Sequence, residues 1–132
     1  MNTLSGEIDH VTVSDHLSLV KVKVGSSYLS AVVIDTPNTA DYLHVNNQVK
    51  VVFKETEVIV GKGDGHRVSV LNQVKGTVGS IEYGELLSKL LLETEVGLIT
   101  VINNTEAVKS LNLEKGSPIT GLIKTSDIML SV

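Results

Sequence analysis

The segment LVKVKV, residues 19–24, alternates apolar and polar side chains with period two, the pattern of a strand that buries one face. YLSAVVI (28–34) and LITVINN (98–104) are apolar and β-branched enough for central strands. LSKLLLE (87–93) is made of good helix formers, yet its place in the second half of the chain is that of LVKVKV in the first, which argues for a strand. Two stretches carry helix signals instead. Thr36 can cap TPNTADYL with Pro37 in the first helical position, and Asn104 or Thr105 can cap TEAVKSLNL. Polar turns follow at VNNQ (45–48) and EKGSP (114–118), and then a last apolar segment in each half, VKVVFKETEVIV and PITGLIKTSDIML. Each is broken near its lysine by polar residues that can bend the strand or carry it from one sheet to another.

These elements repeat. Residues 4–61 overlie 74–131 without a gap at an offset of 70, with Gly6 on Gly76, Leu17 on Leu87, Ser18 on Ser88, Leu43 on Leu113 and Lys54 on Lys124. Ile8/Val78, Val11/Ile81, Val20/Leu90, Val22/Leu92, Val32/Ile102 and Phe53/Ile123 are conservative matches, so one register with few identities points to an old duplication. The expected division is a first unit over residues 1–61, a connector over 62–70 and a second unit over 71–132. Four or five short strands and one small helix per unit is the inventory of an OB-type Greek-key barrel, so the expected fold is all-β, two tandem OB-like barrels with one short helix each.

Composition sharpens this picture. Apolar residues make up 42% of the chain and are nearly all Val, Ile and Leu, with one Phe and no Trp. The absence of cysteine excludes disulfides, thiolate metal sites and cysteine nucleophiles and suits a reducing compartment, so the cytoplasm is expected. No apolar run nears the roughly 20 residues of a bilayer span, and no secretory leader pattern opens the chain, so no membrane partner is expected. A formal charge of −4 and only three Tyr and one Phe argue against a nucleic-acid-binding barrel, which needs a basic groove and stacking platforms. The glycines of GKGDGHRVS (61–69) lead to His66 and Arg67 rather than to a Walker Gly-Lys-Ser/Thr, so this stretch is a connector. The histidines at 10, 16, 44 and 66 lack metal-ligand spacing. Asp9-His10 and Asp15-His16 put acid and base on opposite faces of a strand, and no nucleophile elbow accompanies them, so an enzyme is not expected.

SVLNQVKGTVGSIEYG (69–84), LITVINNTEAVKSLNL (98–113) and GLIKTSDIML (121–130) resemble the Mop domain of the molbindins, small molybdate-binding proteins of the TOBE type. The family pattern is a Ser-x-Arg-Asn-Gln-x-x-Gly opening, a Thr-bearing central strand, a short helix ending in Leu-x-Leu, and a Lys-x-Thr/Ser-Glu/Asp ending. The first copy, Leu4 to Gly61, fits more loosely. Two copies resemble the di-Mop molbindins, which implies a trimer holding several oxyanions between domains and subunits. Ser69, Asn72, Gln73 and Gly76 match the family's opening, but Leu71 stands where it has arginine, and Met1 does so in the first copy. Thr100, with Ser30 opposite it, matches the hydroxyl residue of the central strand. Lys124 with Thr125 and Ser126, and Lys54 with Thr56, match the ending. The resemblance therefore implies an oxyanion site drawn from Lys54, Thr56, Ser69, Thr100, Lys124, Thr125, Ser126 and Ser30, with molybdate or tungstate as ligand and no organic cofactor.

These residue types suit a tetrahedral dianion, which needs inward-pointing donors rather than metal ligands: hydroxyls and amides donate one bond each and a lysine up to three with ionic assistance. In an extended segment residues i and i+2 share a face, which would pair Lys124 with Ser126 and Lys54 with Thr56. A turn there would instead bring in backbone amides. Read singly, a strand lysine is a solvated edge charge and a strand threonine reflects β-propensity; recurrence at one offset is what singles these out. Gly6 and Gly76 fit backbone geometry rather than chemistry. The expected function is storage and homeostasis of molybdate or tungstate in a homo-oligomer. An alternative is an oxyanion-sensing module acting through a partner protein.

Overall fold

The computed structural model describes residues 1–132 and contains ten strands. In the first copy these are β1 (Asn2–Ser14), β2 (Leu17–Val24), β3 (Ser27–Val33), β4 (Gln48–Phe53) and β5 (Ile59–Lys62). The second copy has β6 (Asn72–Glu82), β7 (Leu87–Thr94), β8 (Gly97–Asn104), a helix α1 (Thr105–Ser110), β9 (Pro118–Ile123) and β10 (Met129–Ser131). LSKLLLE is a strand, and its alternating burial shows why: Ser88, Leu90 and Leu92 point inward and bury fully, whatever the helix propensity of leucine.

Each copy curls because its first strand is long and pairs twice. β1 pairs with β4 through Asn2–Glu7 and with β2 through Glu7–Ser14, with a bulge between Ile8 and His10. β6 repeats this with β9 and β7, and its bulge between Val78 and Ser80 lies at the same offset of 70. Bulges sharpen the local twist and let one strand serve two faces of a small barrel. Gly6 and Gly76 sit at this changeover; a Cβ on Gly6 would lie 2.6 Å from a Val22 methyl, and one on Gly76 would run into the Glu93 carbonyl.

The last strands are exchanged. The sheet orders are β10-β4-β1-β2-β3 and β5-β9-β6-β7-β8, so each copy supplies the edge strand of the other's sheet. β5 lies antiparallel to β9 (Ile59 opposite Leu122) and β10 to β4 (Leu130 opposite Val51). The polar break after each lysine is the crossing point. A division at residues 61 and 71 thus describes the sequence repeat, while the sheets assemble across it. The core follows suit: one cluster of 23 buried apolar residues takes in Val20, Phe53 and Val58 from one copy and Leu90, Ile123 and Ile128 from the other.

The copies differ in their helix. Asn104 caps α1 by accepting from the Ala107 N–H at 3.1 Å, and Glu106 and Lys109 sit at the dipole-favoured ends. The helix expected at TPNTADYL does not form. Thr36 does accept from the Asn38 N–H at 3.3 Å, and the Ala40 N–H reaches the Thr36 carbonyl at 2.9 Å, but the segment stops after that turn. Thr39 Oγ1 accepts from the Thr36 N–H and donates to Asp35 Oδ1, local bonds that compete with continued helix.

Candidate functional site

Both Lys-x-hydroxyl segments are turns. Lys54 and Lys124 are extended, at φ −78° and −65°, and each is followed by one 3-10 turn, Glu55–Glu57 and Thr125–Asp127. The expected i, i+2 sharing of a face assumed continuous strand and does not apply. What replaces it is a helix start, where the first amides lack intrahelical acceptors. Each turn packs against the central strand of the other copy, Thr125–Asp127 against β3 and Glu55–Glu57 against β8.

Around the second turn the structure gathers Ser69, Lys124, Thr125 and Ser126 in one open pocket of about 400 Å³. Its remaining walls are Val70 and Leu71 of the connector and Leu19 and Val32 of the first copy. The lining thus combines three hydroxyl-bearing residues and one lysine with otherwise apolar side chains, and Lys124 Nζ lies 3.9 Å from Asp127 Oδ2, a loose pairing that leaves its other donors free. Leu71, in the place of the family's arginine, lines this pocket, whereas Arg67 is exposed and does not.

The other four expected residues lie elsewhere. Lys54 is exposed on the first turn, and Thr56 lines a different, mainly apolar hollow with Val58, Leu90 and α1. Ser30 and Thr100 are held through their backbones. Asn72 accepts from the Ser30 N–H and donates to the Ser30 carbonyl, both at 2.8 Å, and Asn2 does the same to Thr100, also at 2.8 Å. Each asparagine stands in for a strand neighbour, joining the start of one copy to the central strand of the other. Their recurrence at the offset of 70 was legible in the sequence, but their role as cross-copy clamps was not.

The first turn has a different electrostatic character. Glu55 Oε2 accepts from the Met1 ammonium at 3.0 Å, and Glu57 Oε1 accepts from the Lys54 N–H at 3.0 Å. The Glu55 carboxyl is held below its ordinary pKa, first by its own backbone N–H, then by that ammonium, with Lys89 adding to the effect. No side chain takes the equivalent Lys124 N–H. In the connector, the His66 ring covers Gly61, where a Cβ would lie 2.6 Å from Nε2, and that nitrogen is buried without a partner.

No protein-family model matches the chain. A probable molybdenum-pterin-binding protein of Haemophilus influenzae is 36% identical over 69 residues, 50% of this chain and 97% of the relative. Molybdenum-pterin-binding protein 1 of Clostridium pasteurianum is 33% identical over 64 residues, 48% of this chain and 94% of the relative. The chain belongs to the molybdenum-pterin-binding, or Mop, family. Each of these Mop relatives spans about half of it, as a chain of two copies requires. The Mop architecture extends to the whole molecule: a crystal structure of the cytoplasmic molybdate-binding protein ModG, with molybdate bound, superposes with a TM-score of 0.89 at 29% identity, covering 99% of this chain and 95% of that one. The expected all-β, tandem OB-like fold is the observed one.

Proposed function

We propose that this Mop protein binds molybdate, and tungstate in the same way, without catalysis, and serves as a cytoplasmic store of the oxyanion. The observation that carries the reading is the pocket at the junction of the two copies, where Ser69, Lys124, Thr125 and Ser126 converge beside β3. Hydroxyls and an ammonium are donors suited to a tetrahedral dianion, and the apolar rim of Leu19, Val32 and Leu71 strengthens each bond by lowering the local dielectric. The names of the relatives and the bound molybdate of the structural neighbour point to the same ligand. No helix of the chain is long and apolar enough to cross a membrane.

The store works as a homo-oligomer, with a trimer favoured. Leu71 and Leu19, 64% and 38% exposed, flank the donors, and a second copy seated there would shield the dianion from water and add donors. Binding then stabilises the assembly by mass action, since the ligand favours the assembled state. Isothermal titration calorimetry with molybdate, tungstate and sulfate, run beside light scattering, tests this. Micromolar or tighter binding of the metal oxyanions, with sulfate much weaker, is expected; no heat and no thermal stabilisation from either would overturn the reading.

A further inference from the structure

The offset of 70 maps the pocket onto a second place in the molecule. Thr125, Leu19 and Leu71 correspond to Glu55, Lys89 and Met1. Of these, Met1 and Glu55 meet directly, the ammonium donating to Glu55 Oε2 at 3.0 Å, and the charge of Lys89 also favours the ionised carboxylate. Two carboxylates of the chain thus use donors at the first turn, Glu55 the Met1 ammonium and Glu57 the Lys54 N–H. At the second turn no carboxylate takes the Lys124 N–H, and the hydroxyl of Thr125 stands where the first turn has an acid.

We propose that Glu55 is a built-in anion that occupies the counterpart of the Lys124 pocket and keeps an oxyanion out of it. The proposal rests on the binding function above and adds a stoichiometry to it: of two equivalent seats in the chain, one is free and one is filled by the chain itself. A carboxylate and a molybdate oxygen compete for the same donors, and the carboxylate, tethered at its seat, competes at high effective concentration. An entering dianion would also meet the like charge of Glu55, which the free seat lacks, whereas Glu57 has its counterpart there in Asp127. The seat has not lost its donors. Beside Lys54 it has the Met1 ammonium, within 3.0 Å of Glu55 Oε2, where the free pocket has Leu71, so removing the Glu55 carboxylate uncovers a site at least as cationic as the Lys124 pocket.

The test compares the number of molybdate ions bound per chain by calorimetry in the wild type, Glu55→Thr and Glu55→Gln, with thermal melts to show that each variant is folded. Expected is one additional ion per chain in Glu55→Thr, retained when Lys124→Ala is added, whereas Lys124→Ala alone lowers the wild-type count. Glu55→Gln, which keeps the shape and removes the charge, also gains binding. A wild type that already fills both seats, or a Glu55→Thr count equal to that of the wild type, overturns the proposal and leaves the binding function standing. A wild type that binds no oxyanion overturns the binding function instead, and Glu55→Thr still decides: one ion gained supports occupancy by Glu55, none gained sinks it.

Discussion

Ser18 and Ser88 are both buried and both tie the second strand of their copy to the segment after its third, Ser18 through the Asp35 carbonyl at 2.6 Å and Ser88 through Thr105 at 2.7 Å. Glu55 and Thr125, at the same separation, share a backbone turn and nothing else: one is an acid that accepts from the chain, the other a hydroxyl facing a pocket. The comparison shows where a duplicated fold is held and where it drifts. Positions whose polar atoms are buried must find a partner in each copy, here at equivalent positions though not through the same group, because an unmatched buried donor or acceptor costs about 1–3 kcal/mol. Positions on the rim of a turn meet water and carry no such constraint, so function in the two halves can separate while the frame stays in register.

The comparison breaks most visibly at the core. Phe53 and Ile123 hold equivalent, fully buried places, and Phe53→Ala should cost about 3–5 kcal/mol in chemical denaturation, Ile123→Ala about 2–5. Because the core is continuous, either loss should lower one shared transition; two separated transitions would show that the copies unfold independently. The asparagine clamps come next. Asn72→Ala leaves the Ser30 N–H and carbonyl unpaired in a buried setting and should destabilise by roughly 2–4 kcal/mol, with Asn2→Ala milder because its pair is only partly buried.

The turns differ in binding rather than stability. Lys124→Ala should weaken molybdate binding by roughly tenfold or more, the worth of about one charge-assisted hydrogen bond, and Lys54→Ala should leave affinity within about twofold. Equal losses in calorimetry would make the two turns functionally alike. Among the smaller effects, Asn104→Ala should cost about 1 kcal/mol through its lost cap, while Thr36→Ala, at a turn with no helix behind it, should cost less. The smallest effect is a pH dependence. Because the folded state depresses the Glu55 pKa, its contribution is present above the unfolded glutamate value and fades as pH falls through the folded one. Glu55→Gln should flatten that part of a urea-midpoint profile, and an unchanged profile would argue against the interaction.

Much of the frame was legible because a one-residue slip turns every inward side chain outward, so the offset of 70 survives in the apolar positions with few identities. The polar break at each lysine was legible as a place where a strand changes sheet. Which sheet it joins was not, since Ile59–Lys62 reads the same beside β4 or β9. The absent first helix depended on Thr36 and Thr39 bonding within their own turn, a competition that propensity does not decide. Of the expected site residues, those in the Lys124 turn and Ser69 come together in a pocket, while Ser30 and Thr100 are engaged through main-chain atoms that side-chain identity does not report.

The crossing of the last strands also constrains how the molecule is made. β4 has β1 on one side from early in synthesis, but its other neighbour, β10, is residues 129–131. A nascent chain must therefore carry an open strand edge until residues 129–131 have emerged, and edges of that kind recruit other chains. Closing it requires contacts between distant parts of the sequence, which folds slowly. The connector that must first bring the second copy round is then itself fixed to β9, where the Gly63 N–H donates to the Pro118 carbonyl at 2.9 Å and the Gly63 carbonyl accepts from Thr120 Oγ1 at 2.6 Å.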